Sequence, residues 1–362
     1  MTSSTPFDQF EQFVGVRGKH VIQFGCSGGG SVALSVAEDH PDRFDGSIPM
    51  EATSPVAVAN QRLDLTFAIV ALIDHTLPLF STDATSAANG KIWQSRLNAA
   101  ALNPAERARM GLAAVMAQYP GWGSVVNPQV PRPDPNDPIA VQNALMRVAI
   151  DGSVIAITAR PQWDNPAGLM SWNVGIDYRD FYNHASPIDK QTVRDLYIKA
   201  GLHPELDVQA DLDRINAFPG ILATQNAVNY WRERTHTGII GVPMLQVHDI
   251  GDARTPASNV SGYEDSVKKA GRSPLYRKAF IDVPGHCTFN NAEMVSLVET
   301  MVRRIETGRW ANITSPENLN ALGRTFGLGE PRFTDPGVAA GWLMPNTFNR
   351  AFYPDSAGPP GP

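Results

Sequence analysis

Cysteine is scarce in this chain, which has only two among its 362 residues. Two are too few for a disulfide-rich scaffold, and no CxxC pair, HExxH motif or His/Cys cluster is present, so the sequence predicts no metal site. A GxGxxG pattern and a P-loop lysine are also lacking, so nothing indicates a cofactor. The net charge of −6 provides no basic surface, which argues against a nucleic-acid partner and a polybasic membrane anchor.

Long apolar runs are missing as well. The longest, around residues 67–73, is far short of the roughly 20 residues that cross a bilayer, so we expect no membrane span. No signal peptide is visible at Met1. With 43% hydrophobic and 18% charged residues, the composition is typical of a soluble globular protein with a large core.

Strand-like and helix-like segments alternate in two parts of the chain. Residues 20–24, 31–39 and 44–50 read as strand, helix and strand. A second series follows much later, with strand patterns at 242–248 and 278–283 and helix patterns at 257–269 and 291–304. This alternation predicts an α/β fold whose parallel sheet has helices on its faces.

A long, mainly helical insertion separates the two parts. We interpret 1–50 and 239–308 as the two parts of one core, 51–238 as a lid or cap, and 309–362 as a loop-rich tail. Aromatic residues cluster in the insertion, where they can fill a core of its own, line a substrate pocket, or do both. They are Trp122, Trp163, Trp172, Tyr178, Phe181 and Tyr182.

A glycine-rich turn between the first strand and helix contains the candidate nucleophile. Gly25-x-Ser27-x-Gly29 fits a nucleophile elbow, in which glycines permit the sharp turn that exposes the serine. The backbone N–H of Gly28 would then supply one oxyanion-hole donor. The alternative is a glycine-rich turn that binds a phosphate at a helix N-terminus.

Two later residues complete a candidate triad. Asp252 follows a buried strand, where an acid can orient a histidine on the next loop, and Asp249 is its competitor for that role. His286 follows the last strand and would exchange the proton with Ser27. The order Ser27, Asp252, His286 is the order of the α/β-hydrolase architecture.

Both cysteines are neighbours of these residues. Cys26 directly precedes Ser27, and Cys287 directly follows His286. A disulfide between them would hold nucleophile and base together and imply an oxidising compartment, hence a secreted or periplasmic protein. Two free, buried cysteines, in a cytoplasmic protein, are the alternative.

At these residues the chain resembles the α/β-hydrolase superfamily, and in particular the tannase and feruloyl-esterase family. The Cys-Ser, Asp and His-Cys arrangement carries the resemblance, which covers residues 1–50 and 239–308. The insertion matches the family's lid only in position and rough size. The resemblance implies a serine esterase that works through an acyl-enzyme, with aromatic or phenolic esters as candidate substrates.

The resemblance also implies a role for each residue. Ser27 is the nucleophile, Asp252 the acid and His286 the base, and the family's disulfide corresponds to a Cys26–Cys287 bond. An acyltransferase or a peptidase that uses the same triad is a further alternative to the esterase.

The N-terminal part of the chain differs from the family's pattern of strands. The family's fold places about four strands before the elbow, whereas only 26 residues precede Ser27 here. We therefore expect an N-terminally truncated sheet with an exposed edge, which a missing segment or a second copy of the chain would cover. A catalytically inactive fragment that acts by association is the alternative function.

Overall fold

A five-stranded sheet lies at the centre of the fold. Its strands are β1 (Ile22–Cys26), β2 (Gly46–Met50), β3 (Met244–Gly251), β4 (Tyr276–Pro284) and β5 (Phe333–Thr334). They lie in this order in the sheet, with β1 to β4 parallel and β5 antiparallel to β4. This computed structural model describes residues 6–16, 18–125, 127 and 129–335, with side chains from residue 9 onward. The predicted α/β class, with a mainly parallel sheet, is confirmed.

Helices cover the sheet and fill the chain between β2 and β3. In chain order the described helices are α1 (Pro6–Val14), α2 (Gly28–Asp39), α3 (Pro55–Leu72), α4 (Ser86–Ala100), α5 (Pro104–Met116), α6 (Pro138–Thr158), α7 (Pro161–Asp164), α8 (Tyr178–Asn183), α9 (Pro187–Lys199), α10 (Leu206–Ala217), α11 (Gln225–Arg232), α12 (Ser258–Lys269), α13 (Asn291–Thr307) and α14 (Pro316–Arg324).

The sheet is packed on both faces, as parallel sheets are. All residues of β2 and β3 are buried. On one face, Leu297 and Met301 of α13 pack against strand residues such as Ile281. On the other face, Leu34 of α2 and Tyr263 of α12 belong to a second cluster. The loops at the carboxyl edge of the sheet therefore start from strands that are packed on both sides.

The insertion between β2 and β3 has a hydrophobic core of its own. Helix α3 is buried from Val56 to Leu72, as expected of a helix that is apolar on most sides. Tyr178, Phe181 and Tyr182 belong to the same cluster, so these three aromatics fill the insertion's core. Trp172 packs in a smaller cluster with α11.

One helical stretch of the insertion resembles a membrane span by length and composition. Within Pro138–Asp164, the most apolar window has a mean hydropathy of 1.3, and 56% of that window is buried inside the protein. The sequence analysis did not anticipate it, because polar residues interrupt its apolar run. Buried core helices also satisfy these two criteria, and α6 packs against α3, α4 and α5.

The segment after residue 309 is more ordered than its sequence predicted. Its described part contains α14 and the short strand β5, which extends the sheet beyond β4. Leu319 and Phe333 join the cluster on the α13 face, which explains why this segment folds back. Residues 336–362 of the predicted tail lie outside the described residues.

Candidate functional site

Ser27 occupies the sharp turn between β1 and α2. Its φ of 60° and ψ of −120° are strained for a residue with a side chain. Its N–H donates to the carbonyl of Met50, which joins the turn to the end of β2. A Cβ on Gly25 would lie 2.5 Å from the Gly29 oxygen, and one on Gly30 would lie 2.4 Å from the Met50 oxygen. Backbone crowding thus requires glycine at both positions.

Helix α2 begins at Gly28, three residues before the predicted start. The first N–H groups of a helix have no partner within it, and they lie at the positive end of its dipole. Open space surrounds the position of a Cβ at Gly28. This N–H therefore has the electrostatic character that the predicted oxyanion donor requires.

Asp252 and His286 are in contact at the carboxyl edge of the sheet. The Nδ1 atom of His286 lies 2.8 Å from Oδ2 of Asp252. The backbone N–H groups of Arg254 and Thr255 donate to the other oxygen of this carboxylate, at 2.7 and 3.0 Å. Burial acts to raise the pKa of Asp252, but the hydrogen bond and charge of His286 outweigh it and hold the pKa below its usual range. Asp252 is thus a buried carboxylate whose hydrogen bond holds the His286 ring in place.

Asp249, the competing acid, has other partners. It lies within β3, and its Oδ2 accepts hydrogen bonds from the N–H and the hydroxyl of Thr288 at 3.2 and 2.6 Å. Burial raises the pKa of Asp249 to about 6. Its carboxyl therefore fixes the segment after His286.

Glu51 is a site residue that the sequence analysis missed. It directly follows β2, is 1% exposed, and has a φ of 45°. Its Oε2 lies 2.6 Å from Nδ1 of His286 and accepts the N–H of Cys287 at 2.6 Å. Its position after a buried strand was the only available signal, and the same signal had pointed to Asp252.

Cys26 and Cys287 form a disulfide, and their Cα atoms are 6.1 Å apart. The bond joins the residue before Ser27 to the residue after His286. Among the described residues, Nε2 of His286 is buried and has no hydrogen-bond partner, so no such bond joins it to Ser27. A catalytic hydrogen bond of this kind often tightens only when substrate binds.

Glu51, Asp252 and His286 also have the composition of a metal site, since one ligand atom from each lies within 4.8 Å of the others. The hydrogen bond between His286 and Asp252 already uses two of these atoms. The cysteines near Glu51 are bonded to each other, so neither offers a thiolate. We therefore interpret the cluster as a hydrogen-bonded group.

The disulfide is expected to stabilise the fold. In the Cys26→Ser/Cys287→Ser variant, the free energy of unfolding should fall by about 2–5 kcal/mol, because the bond closes a very long loop. Urea unfolding followed by circular dichroism measures this. The wild-type midpoint should fall when a reductant is added, whereas that of the variant should not. Equal midpoints in the variant and the oxidised wild type would contradict the prediction.

The chain is an α/β protein of the hydrolase class, as its comparisons with known proteins show. No family model matches the chain. The chain is 36% identical over 376 aligned positions to the o-phthalyl amidase of Xanthobacter agilis, and the alignment covers 96% of this chain and 80% of the amidase. The chain belongs to the family of that amidase.

Two solved structures are similar at low identity. An esterase from Aspergillus oryzae has 15% identity and a TM-score of 0.33, and the match covers 80% of this chain and 59% of that one. Feruloyl esterase B from Aspergillus oryzae has 14% identity and a TM-score of 0.28, with coverages of 80% and 60%. The chain thus spans about six-tenths of the length of these two proteins.

Proposed function

We propose that the chain hydrolyses amide or ester bonds of aromatic acids through an acyl-enzyme on Ser27. The observation that carries the proposal is the contact of 2.8 Å between His286 and Asp252, braced by the Cys26–Cys287 disulfide beside the strained serine. Membership in the family of an amidase supports the amide bond as the target.

The proposed steps use these residues in fixed roles. The Ser27 hydroxyl attacks the acyl carbon while Nε2 of His286 takes its proton, and Asp252 stabilises the resulting imidazolium. The Gly28 N–H donates to the oxyanion, and His286 then returns the proton to the departing amine or alcohol. Water attacks the acyl-enzyme by the same route and releases the acid.

Two observations support this substrate class: the name of the relative and one buried arginine. An o-phthalyl group carries a free carboxylate beside the acylated one. Arg62 of α3 is 2% exposed, and its Nη2 donates to the Arg254 carbonyl, two residues beyond Asp252. Among the described residues, its Nε and Nη1 have no hydrogen-bond partner, and Trp163 covers the guanidinium at 4.3 Å. A carboxylate is the natural partner of such a group.

Arg62→Met should therefore lower activity on substrates that carry the second carboxylate. We expect kcat/KM for the o-phthalyl amide of aniline to fall about 10- to 100-fold, the range of a hydrogen bond to a charged group. Benzanilide lacks that carboxylate and should be affected much less. Arg107→Met, which removes an arginine bonded to Asn143 elsewhere in the insertion, is the matched control. Equal losses on both substrates would contradict this role for Arg62.

We also propose that residues 51–238 act as a lid and that the enzyme works in an oxidising compartment. Arg62 and Trp163, both from the insertion, support the first proposal because they lie beside the acid loop. The disulfide supports the second.

The test combines product analysis with labelling. The purified chain is incubated with the o-phthalyl amide of aniline and, separately, with methyl ferulate, and released acid is measured. A fluorophosphonate, which reacts with activated serines, should label the peptide that contains Ser27. Hydroxylamine added during turnover separates hydrolysis from acyl transfer. A folded chain that neither releases acid nor takes the label would overturn the proposed function.

A further inference from the structure

A second carboxyl group touches the proposed catalytic histidine. Oε2 of Glu51 lies 2.6 Å from Nδ1 of His286, beside Asp252, whose Oδ2 lies 2.8 Å from the same nitrogen. The same Glu51 oxygen accepts the N–H of Cys287 and lies 3.9 Å from the sulfur of Cys26. Glu51 thus contacts both the histidine and the disulfide that braces it.

Two negatively charged carboxylates beside one nitrogen would repel each other. The protonation state of each therefore determines whether it acts on His286 as an anion or as a neutral acid. Asp252 is held as an anion by His286. Burial raises the pKa of Glu51 well above its usual range, and the charges of Asp252 and Asp249 raise it further. The Glu51 and Asp249 carboxyl groups also interact directly, and Oε1 of Glu51 and Oδ1 of Asp249 are both buried with no other hydrogen-bond partner among the described residues. Burial and the two neighbouring acids therefore favour the neutral form of Glu51.

The backbone gives an independent sign that this position is selected for its side chain. Glu51 has a φ of 45°, in the left-handed region that glycine adopts without strain. A residue with a side chain is strained there, and such strain clusters at functional sites. The hydrogen bonds of the carboxyl compensate for that strain.

We propose that Glu51 is a positioning residue for His286: a neutral carboxylic acid that lies against Nδ1 of His286, accepts the Cys287 N–H and donates to Asp249. This inference rests on the proposed function. Glu51 orients the ring toward Ser27 without placing a second full charge beside it. A second anion would stabilise the imidazolium further and hinder the return of its proton to the leaving group.

Charged and titratable groups surround this carboxyl. Asp249 and Asp252 approach from β3 and the loop after it, and His286 from the loop after β4. Beyond them, His248 lies 3.7 Å from Asp252, and Arg332 interacts electrostatically with Asp249. Burial lowers the pKa of His248, which favours its neutral form.

Glu51→Gln and Glu51→Ala separate a neutral role from an anionic one. Glutamine keeps a carbonyl acceptor for His286 and Cys287 and an N–H donor for Asp249, so kcat should stay within about threefold of wild type. Alanine removes all three contacts, so kcat should fall about 10- to 100-fold with little change in KM, as a misplaced base would cause. Wild-type hydrolysis and Ser27 labelling, measured first, test the proposed function separately.

Two further measurements distinguish positioning from simple structural support. The acidic limb of the kcat/KM profile should keep its place in Glu51→Gln; were Glu51 an anion, removing its charge would move that limb to lower pH. The downfield proton resonance of His286 Nδ1–H should persist in Glu51→Gln and move upfield in Glu51→Ala, and this readout needs no activity. Glu51→Leu, of similar volume, substitutes for the alanine variant if that variant does not fold.

Three outcomes would overturn the inference. They are an alanine variant as active as wild type with an unchanged resonance, a glutamine variant as impaired as alanine, and an acidic limb that shifts in Glu51→Gln. If both apolar variants fail to fold, the glutamine variant alone decides, because its profile and resonance differ between the neutral and anionic roles.

Discussion

Ser27→Ala is expected to lower kcat on the o-phthalyl amide of aniline by about 10⁶-fold, the scale of loss when a nucleophilic serine is removed from a triad. Alanine cannot form the acyl-enzyme, so only substrate binding and the oxyanion donor would remain. The fold should be retained, because no described hydrogen bond depends on the Ser27 hydroxyl, and the N–H that donates to Met50 is kept.

Ser31→Ala is the matched control for this variant. Ser31 lies one turn further along α2, and its hydroxyl donates to the carbonyl of Thr53 at 2.7 Å. Losing that bond costs about 1 kcal/mol of stability and should leave kcat within about threefold. Initial rates and fluorophosphonate labelling of both variants provide the measurement. A Ser27→Ala protein with more than about a hundredth of wild-type activity would assign the nucleophile to another residue.

Asp252→Asn should lower kcat by about 10⁴-fold, because an asparagine can hold His286 in the wrong tautomer. Its smaller effect compared with Ser27→Ala reflects a role in orientation and charge stabilisation. Asp282→Asn, at a half-buried acid of β4 that pairs with Arg132, serves as the control and should change kcat by less than about twofold.

The comparison with Asp249→Asn tests which acid serves His286. Asp249 bonds Thr288 and interacts with the Glu51 carboxyl, so its loss should cost far less than that of Asp252. Steady-state kinetics of Asp252→Asn, Asp249→Asn and Asp282→Asn on one substrate show which acid serves His286. A larger loss in Asp249→Asn than in Asp252→Asn would reverse the assignment of the acid.

The elements that carry local patterns could be predicted from the sequence. The turn at Ser27 has glycines on both sides, and each predicted strand of the sheet is a short apolar run. The ends were less accurate: β3 runs to Gly251 instead of 248, and α2 begins at Gly28 instead of 31. Both errors lie at the carboxyl edge of the sheet, where glycines and acids weaken the local pattern.

Glu51 could not be singled out because its role depends on strand order. It meets His286 only because β2 lies between β1 and β3, with Met50 opposite Val247. Nothing local to Glu51 encodes that neighbour. The contact between the insertion and β3 could not be predicted from the sequence either. Gly123 packs so closely on Gly251 that a Cβ on Gly123 would lie 1.9 Å from the Gly251 oxygen. Contacts between residues far apart in the chain leave no periodic pattern.

The bond between Cys26 and Cys287 also makes part of the chain a closed covalent ring. This ring contains the whole insertion and both parts of the proposed catalytic machinery, with 261 residues of sequence separation. A protease that nicks any loop inside the ring opens it but releases nothing. The two pieces separate on a gel only after reduction, and Ser27 and His286 remain on one molecule until then.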